Sequence, residues 1–169
     1  MVTKVGSSAY EYTEKLEELI WEAESCADMN SYTHKTFCSM GIETENGTTL
    51  RFTSSGKRMP GYMFYFGSDQ TLPNLTKVIF DENSSMQEFG EYAIYENDIK
   101  LEEFRLPDSV FAMDDYASFY VKPKNCYIPN LASWCQSTFG NPTDSNLICF
   151  AENLYIEGKL LTASSEIVI

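Results

Sequence analysis

One histidine, His34, is all that the 169 residues contain, and this scarcity removes more functions than any motif in the chain adds. A metal site built on two histidines is impossible, and acid–base chemistry has no imidazole besides His34. His34 and Cys38 could face each other one helical turn apart as a minimal thiol–base pair, but nothing supplies the third group that would orient them. No CxxC, Walker-type glycine loop, GxSxG or HExxH is present. Asp108, Asp114 and Asp115 offer carboxylate oxygens without the alternating ligand spacing, glycine and late glutamate of a calcium loop, and read as an acidic loop. These absences predict a protein that is not an enzyme and carries no cofactor or metal.

Long apolar runs are also missing. No window of about 18 apolar residues exists to cross a bilayer. The start, MVTKVGSSAYEYTEK, lacks the apolar region of a signal peptide, which predicts a cytoplasmic protein unless a leader has been removed. The cysteines, Cys26, Cys38, Cys126, Cys135 and Cys149, are odd in number and widely spaced, as expected of small buried thiols rather than a disulfide framework. Basic residues are outnumbered 25 to 12, giving a net charge of −13. Residues 1–30 carry −5 and residues 81–115 carry −9, so two segments hold essentially all of the excess. Such a field repels phosphate backbones and anionic membranes and attracts basic proteins.

What the chain does have is aromatic residues in a repeated pattern. Met59, Tyr62, Met63, Phe64 and Tyr65 recur as Phe89, Tyr92, Ala93, Ile94 and Tyr95, and again as Met113, Tyr116, Ala117, Ser118 and Phe119. The offsets, 30 and then 24 residues, are those of a solenoid, in which each unit buries its apolar face against the next. Each block follows an alternating run: Leu50-x-Phe52, Val78-x-Phe80 and Phe104-x-Leu106. A unit therefore reads as a strand, a short loop and a helix-like turn carrying the tyrosine. Strand alternation sends Leu75, Val78 and Phe80, and likewise Leu101, Phe104 and Leu106, inward. It leaves Thr76, Lys77, Ile79, Glu102, Glu103 and Arg105 on the open face.

Ahead of the repeats, Ser8-Ala-Tyr-Glu11 reads as a capping box, followed by a stripe of Leu16, Leu19, Ile20, Ala23 and Ala27 at helical spacing. A helix over about 8–28 is expected, covering the first apolar face of the array. Asn46-Gly47 between two short runs predicts a tight hairpin over Gly41–Phe52.

LTKVIFDENSSMQEFGEYAIYENDIKLEEFRLPDSVFAMDDYASF resembles the BspA-like leucine-rich repeats, and so does NCYIPNLASWCQSTFGNPTDSNLICFAENLYIEGKLLT, which is similar to a non-repeat island found within such arrays. The resemblance spans about residues 47–169, is most specific in 75–162, and departs from the pattern at Asn97 and Ser118. It implies an α+β fold: a short leucine-rich-repeat-like solenoid of parallel strands and short helical turns, with an N-terminal capping helix and a C-terminal hairpin island. Residues 1–46 would form the cap and entry hairpin, and residues 47–169 the solenoid, with the island at about 129–162. A helix start at Leu131–Cys135 and a hairpin from Asn153 belong to the island, and Ile167–Ile169 would be a last strand.

The function expected is a non-enzymatic module that binds a protein partner through its strand face and acidic side turns, without touching nucleic acid or membrane. Lys77, Ile79, Glu102, Glu103 and Arg105 would be its strand-face contacts, and Glu88, Glu91, Glu96 and Asp98 its side-turn contacts, suited to a basic partner. Four or five parallel strands about 4.8 Å apart would give a face about 20 Å long. The alternative is an acidic mimic of nucleic acid that inhibits a basic nucleic-acid-binding enzyme, as phage-encoded anti-CRISPR proteins do.

Overall fold

A computed structural model describes residues 2–29, 36–66, 71–95, 99, 101–141 and 144–162. The strands in chain order are β1 (Glu18–Trp21), β2 (Thr48–Phe52), β3 (Arg58–Met59), β4 (Phe64–Tyr65), β5 (Leu75–Phe80), β6 (Glu88–Phe89) and β7 (Ile94–Tyr95). They continue as β8 (Glu103–Arg105), β9 (Ala112–Met113), β10 (Asn125–Ile128), β11 (Thr138–Phe139), β12 (Asn153–Ile156) and β13 (Lys159–Leu160). Three sheets are built from them, one ordered β1-β2-β5-β8-β10-β12-β13, a second β11-β9-β6-β3 and a third β4-β7. The chain visits the sheets in turn and returns, so the fold is a β-solenoid of about four turns. Arg58 lies opposite Glu88 and Glu88 opposite Ala112, the same offsets of 30 and 24 that the tyrosine blocks show.

The reason for the strands is the alternation of side chains. In β2, Thr48, Leu50 and Phe52 are buried while Thr49 and Arg51 look outward. Register then carries one inward position through the long sheet as Leu19, Leu50, Val78, Phe104, Cys126 and Leu154. Leu50, Val78, Phe104 and Cys126 in that ladder are completely buried. In the second sheet Met59, Phe89, Met113 and Phe139 form the matching inner row. Each full burial of such a side chain contributes about 1.5–3 kcal/mol, and stacking identical positions makes the core continuous along the axis. As expected, Leu75, Val78, Leu101, Phe104 and Leu106 are buried; Phe80 is half-buried and stacks on Phe52 at 4.9 Å.

The tyrosine blocks form a different kind of corner from the helix-like turn expected. Tyr62, Tyr92 and Tyr116 stand at φ of 58°, 52° and 58°, left-handed backbone that a right-handed helix cannot contain. This conformation costs about 1–2 kcal/mol per non-glycine residue. Ring contacts offset it, at 5.4 Å between Tyr62 and Tyr92 and 5.2 Å between Tyr92 and Tyr116, each worth about 0.5–1.5 kcal/mol. Hydrogen bonds along the axis lock the corner, with the Tyr62 amide donating to the Glu91 carbonyl, Phe64 to Ala93 and Ile94 to Ala117, all at 2.9 Å. The tyrosines themselves are half-buried, and the spine proper is the following residue, Met63, Ala93 or Ala117.

The N-terminal expectations are corrected. Residues 8–28 hold no helix: Ser8 and Tyr12 have positive φ, and Glu18–Trp21 is the strand β1, parallel to β2. Leu19 and Trp21 are buried while Ile20 is 50% exposed, a period of two that the neighbouring strand selects over the helical stripe. The hairpin across Asn46-Gly47 is absent as well, because Gly41–Glu43 is a turn and β2 takes β1 and β5 as its neighbours. Gly47 (φ +70°) instead turns a solenoid corner, where a Cβ would meet the Thr76 Cγ2 at 2.3 Å and the Asn74 carbonyl at 2.6 Å.

At the other end, the segment 129–162 adds rungs instead of interrupting them. Its helix α1 (Leu131–Gln136) begins at the predicted place, with the Asn130 side chain accepting from the Ser133 amide. β11 and β12 then pair in parallel with β9 and β10. The expected hairpin closes the sheet, with β12 and β13 antiparallel. Ile167–Ile169, Glu96, Asn97, Asp98 and His34 lie outside the described residues. Cys26, Cys38 and Cys126 are buried as expected, whereas Cys135 and Cys149 are exposed. Burial pushes the Cys126 thiol up to about 12. No helix among the described residues is long and apolar enough to cross a membrane.

Candidate partner-binding face

The outward positions of the long sheet form two ladders. One runs Glu18, Thr49, Lys77, Glu103, Asn125 and Asn153, and its last two members are joined by an amide hydrogen bond of 3.2 Å. The other starts as Ile20, Arg51 and Ile79 and ends as Arg105, Tyr127, Tyr155 and Leu160. Within the second, the Arg105 guanidinium carbon sits 4.3 Å from the centre of the Tyr127 ring, and Tyr127 stacks on Tyr155 at 4.6 Å and 17°. Parallel pairing dictates this pile. Residues at matched positions on adjacent strands stand about 4.8 Å apart, close to the spacing of stacked rings.

Lys77, Ile79, Glu103 and Arg105 stand at outward positions of the long sheet as the alternation predicted, Lys77 and Arg105 exposed and Ile79 and Glu103 half-buried, whereas Glu102 is exposed just before β8 and belongs to neither ladder. Ion pairs cross it: Arg51 with Glu18 at 3.2 Å, Arg105 with Glu103, and Lys124 with Glu102 at 3.2 Å. Arg105 and Tyr127 also wall a cleft of about 460 Å³ at the ends of β5, β8 and β10, whose far side carries Asp81, Glu82 and Asp108. Burial, with the Glu103 charge adding to it, raises the Tyr127 phenol above its ordinary value.

Glu88 and Glu91 do not join that face. Glu88 lies in β6 and accepts from the Arg58 Nε at 2.8 Å. Glu91 is exposed at the tyrosine corner, where it accepts from the Tyr62 hydroxyl at 3.3 Å. Arg58 is the centre of a network that sequence reasoning missed. Its Nη1 donates to Asp28 Oδ1 at 2.6 Å and to the Cys26 carbonyl at 3.1 Å, and the Gly61 amide also reaches Asp28 at 2.6 Å. Burial works against the Asp28 charge, but the bonds from Arg58 and Gly61 outweigh it and hold the carboxyl below its ordinary value. Asp114 moves the other way: burial first, then the charge of Glu88, raise it. A signal for this network was present, because Asp28, Arg58 and Glu88 are separated by the repeat offset of 30. Tyr127 and Tyr155 were likewise missed, and their signal was their place opposite Arg105 once the rungs are aligned.

No family model, curated protein or solved structure matches this chain. The molecule is thus defined by its own architecture, a β-solenoid with one long open sheet face.

Proposed function

We propose that this is a non-catalytic binding module that engages a protein partner through the open face of its long sheet. The observation that carries the reading is the pile of Arg105, Tyr127 and Tyr155 on that face. Arginine and tyrosine are the residues most enriched at the energetic centres of interfaces, and here the neighbouring strands hold them in place before any partner arrives. Seven strands about 4.8 Å apart span about 30 Å, longer than the four or five expected and enough for a standard interface. The resemblance of residues 75–162 to BspA-like leucine-rich repeats supports placing the chain in that family of repeat proteins. The test is affinity capture from the native host with the wild-type chain beside Arg105→Ala and Tyr127→Ala. One protein retained by the wild type and lost from both variants is expected; a partner retained equally by all three would overturn the reading.

A second reading, an acidic surface that occupies the groove of a basic nucleic-acid-binding enzyme, is favoured by one feature. Glu91, Asp114 and Asp115 border an open hollow of about 440 Å³ beside Gly140. Against it, Glu18, Glu24, Glu88, Glu102 and Glu103 are each paired with a cation, which reduces the free field. Ionic strength separates the two, since a mimic loses affinity steeply with salt while a stacked aromatic contact does not. Under the second reading, charge reversal at Glu102 and Glu103 abolishes binding, and the loss is accompanied by that steep dependence on salt.

A further inference from the structure

We infer that the N-terminal edge of the long sheet is a separate binding site, built to accept an extended basic segment of a partner polypeptide as an added strand. Among the described residues β1 is the terminal strand of that sheet and has one neighbour, β2. Its ladder uses the Glu17 carbonyl, which accepts from the Thr49 amide at 2.8 Å, and the Trp21 carbonyl, which accepts from the Thr53 amide at 3.2 Å. Alternation along a parallel strand then turns the amides and carbonyls of Glu18, Ile20 and Glu22 to the other side, where no described residue pairs with them. A row of unpaired backbone groups at a sheet edge is a template for another strand.

The two ends of the sheet are treated differently. The far edge is the two-residue β13, folded back as a hairpin and carrying Lys159, both of which discourage pairing. The near edge has no proline and no bulge against β2. Beside it runs an apolar groove of about 460 Å³ walled by Val2, Val5, Tyr10, Ile20 and Trp21. Val2 is 54% exposed and Ile20 50%, and the buried Trp21 indole N–H finds no acceptor among the described residues. An incoming strand would place alternate apolar side chains in this groove.

Charge selects the occupant. Glu18 is held by Arg51 and Glu24 by Lys57, but Glu22, exposed on the rim, has no cation partner among the described residues. A second copy of the chain, at −13, would bring its own Glu22 to the same edge. Lysine or arginine in the added strand would instead meet opposite charge.

The test uses the whole chain and a synthetic peptide alternating valine and lysine, with amide hydrogen exchange and titration as readouts. Peptide binding is expected to protect the Ile20 and Glu22 amides. N-methylation of the peptide's central amides should weaken binding about tenfold or more, as loss of main-chain hydrogen bonds requires. Ile20→Lys should weaken it similarly with the melting temperature kept, whereas Tyr127→Ala should leave it unchanged, which separates this site from the sheet face. Absence of binding at millimolar peptide, equal binding of the N-methylated peptide, or protection of Ile20 by concentration-dependent self-association would each overturn the proposal.

Discussion

Two aromatic series run along this solenoid, and they do different work. Tyr62, Tyr92 and Tyr116 repeat one corner at the offsets of the turns, bent into left-handed backbone with their rings in contact from turn to turn and the buried Met63, Ala93 and Ala117 following them. Tyr127 and Tyr155 occupy matched strand positions on the open face, stacked on each other and on Arg105. The first series recurs because each turn must make the same bend against the last. The second recurs because parallel pairing brings like positions together, and solvent on its outer side leaves it available. Ring stacking is common to both; only in the first does backbone geometry depend on it.

If that contrast is right, substitutions should fall in a definite order. Phe104→Ala, in the inner ladder beneath Arg105, removes a completely buried ring and should cost about 3–5 kcal/mol in urea unfolding. Tyr92→Ala should cost about 2 kcal/mol, since it leaves strained left-handed backbone and deletes contacts to both Tyr62 and Tyr116. A Tyr92→Ala variant as stable as the wild type would show that the corner does not need its rings.

The charged network behind the tyrosine corner should respond to pH in two opposed ways. Asp28 is held below 3.8, so its contribution is present above the unfolded value and lost as pH falls through the lower folded one. Asp114 is raised above 3.8, so its effect is favourable below that value and is lost as pH rises through the folded one. Asp114→Asn should therefore raise the melting temperature at pH 7 and lose that advantage below about pH 4. Asp28→Asn should lower the melting temperature at pH 7, reflecting a loss of under about 1 kcal/mol of stability given that the carboxylate is 53% exposed. Melting curves from pH 3 to 7 read both.

Among the aromatic substitutions the smallest effect on stability is expected from Tyr127→Ala, about 1 kcal/mol, because the ring lies on the outer side of the sheet and loses only its contacts with Tyr155 and Arg105. Its effect on partner capture should be the largest of the series. A Tyr127→Ala variant that unfolds like Phe104→Ala would make the outer pile structural and merge the two series into one.

The repeat blocks, the inward and outward sides of β5 and β8, the start of α1 and the hairpin at β12 and β13 were all legible in the residues. The first two rest on local rules, a recurring offset and alternation, and the last two on the resemblance of residues 125–162 to the island of BspA-like repeat arrays. The N-terminal segment was not legible. Leu16, Leu19, Ile20 and Trp21 satisfy a helical stripe and a strand alternation together, and only an exposed edge on β2 chooses between them. The Asn46-Gly47 pair failed for the same reason, since left-handed glycine serves a hairpin and a solenoid corner equally well. The binding pile was hidden in another way: Arg105, Tyr127 and Tyr155 look like unrelated residues until the rungs are set in register.

The sequence by itself determined that this chain repeats, that its repeats bury aromatic and aliphatic residues against one another, and that it carries a strong negative charge. Those properties follow from spacing and composition, which need no knowledge of neighbours. Tertiary structure alone decided that the corners are left-handed and that an arginine and two tyrosines share the open face. Each of these depends on which residue lies one turn above another, and turn lengths that vary from rung to rung keep that information out of any single repeat.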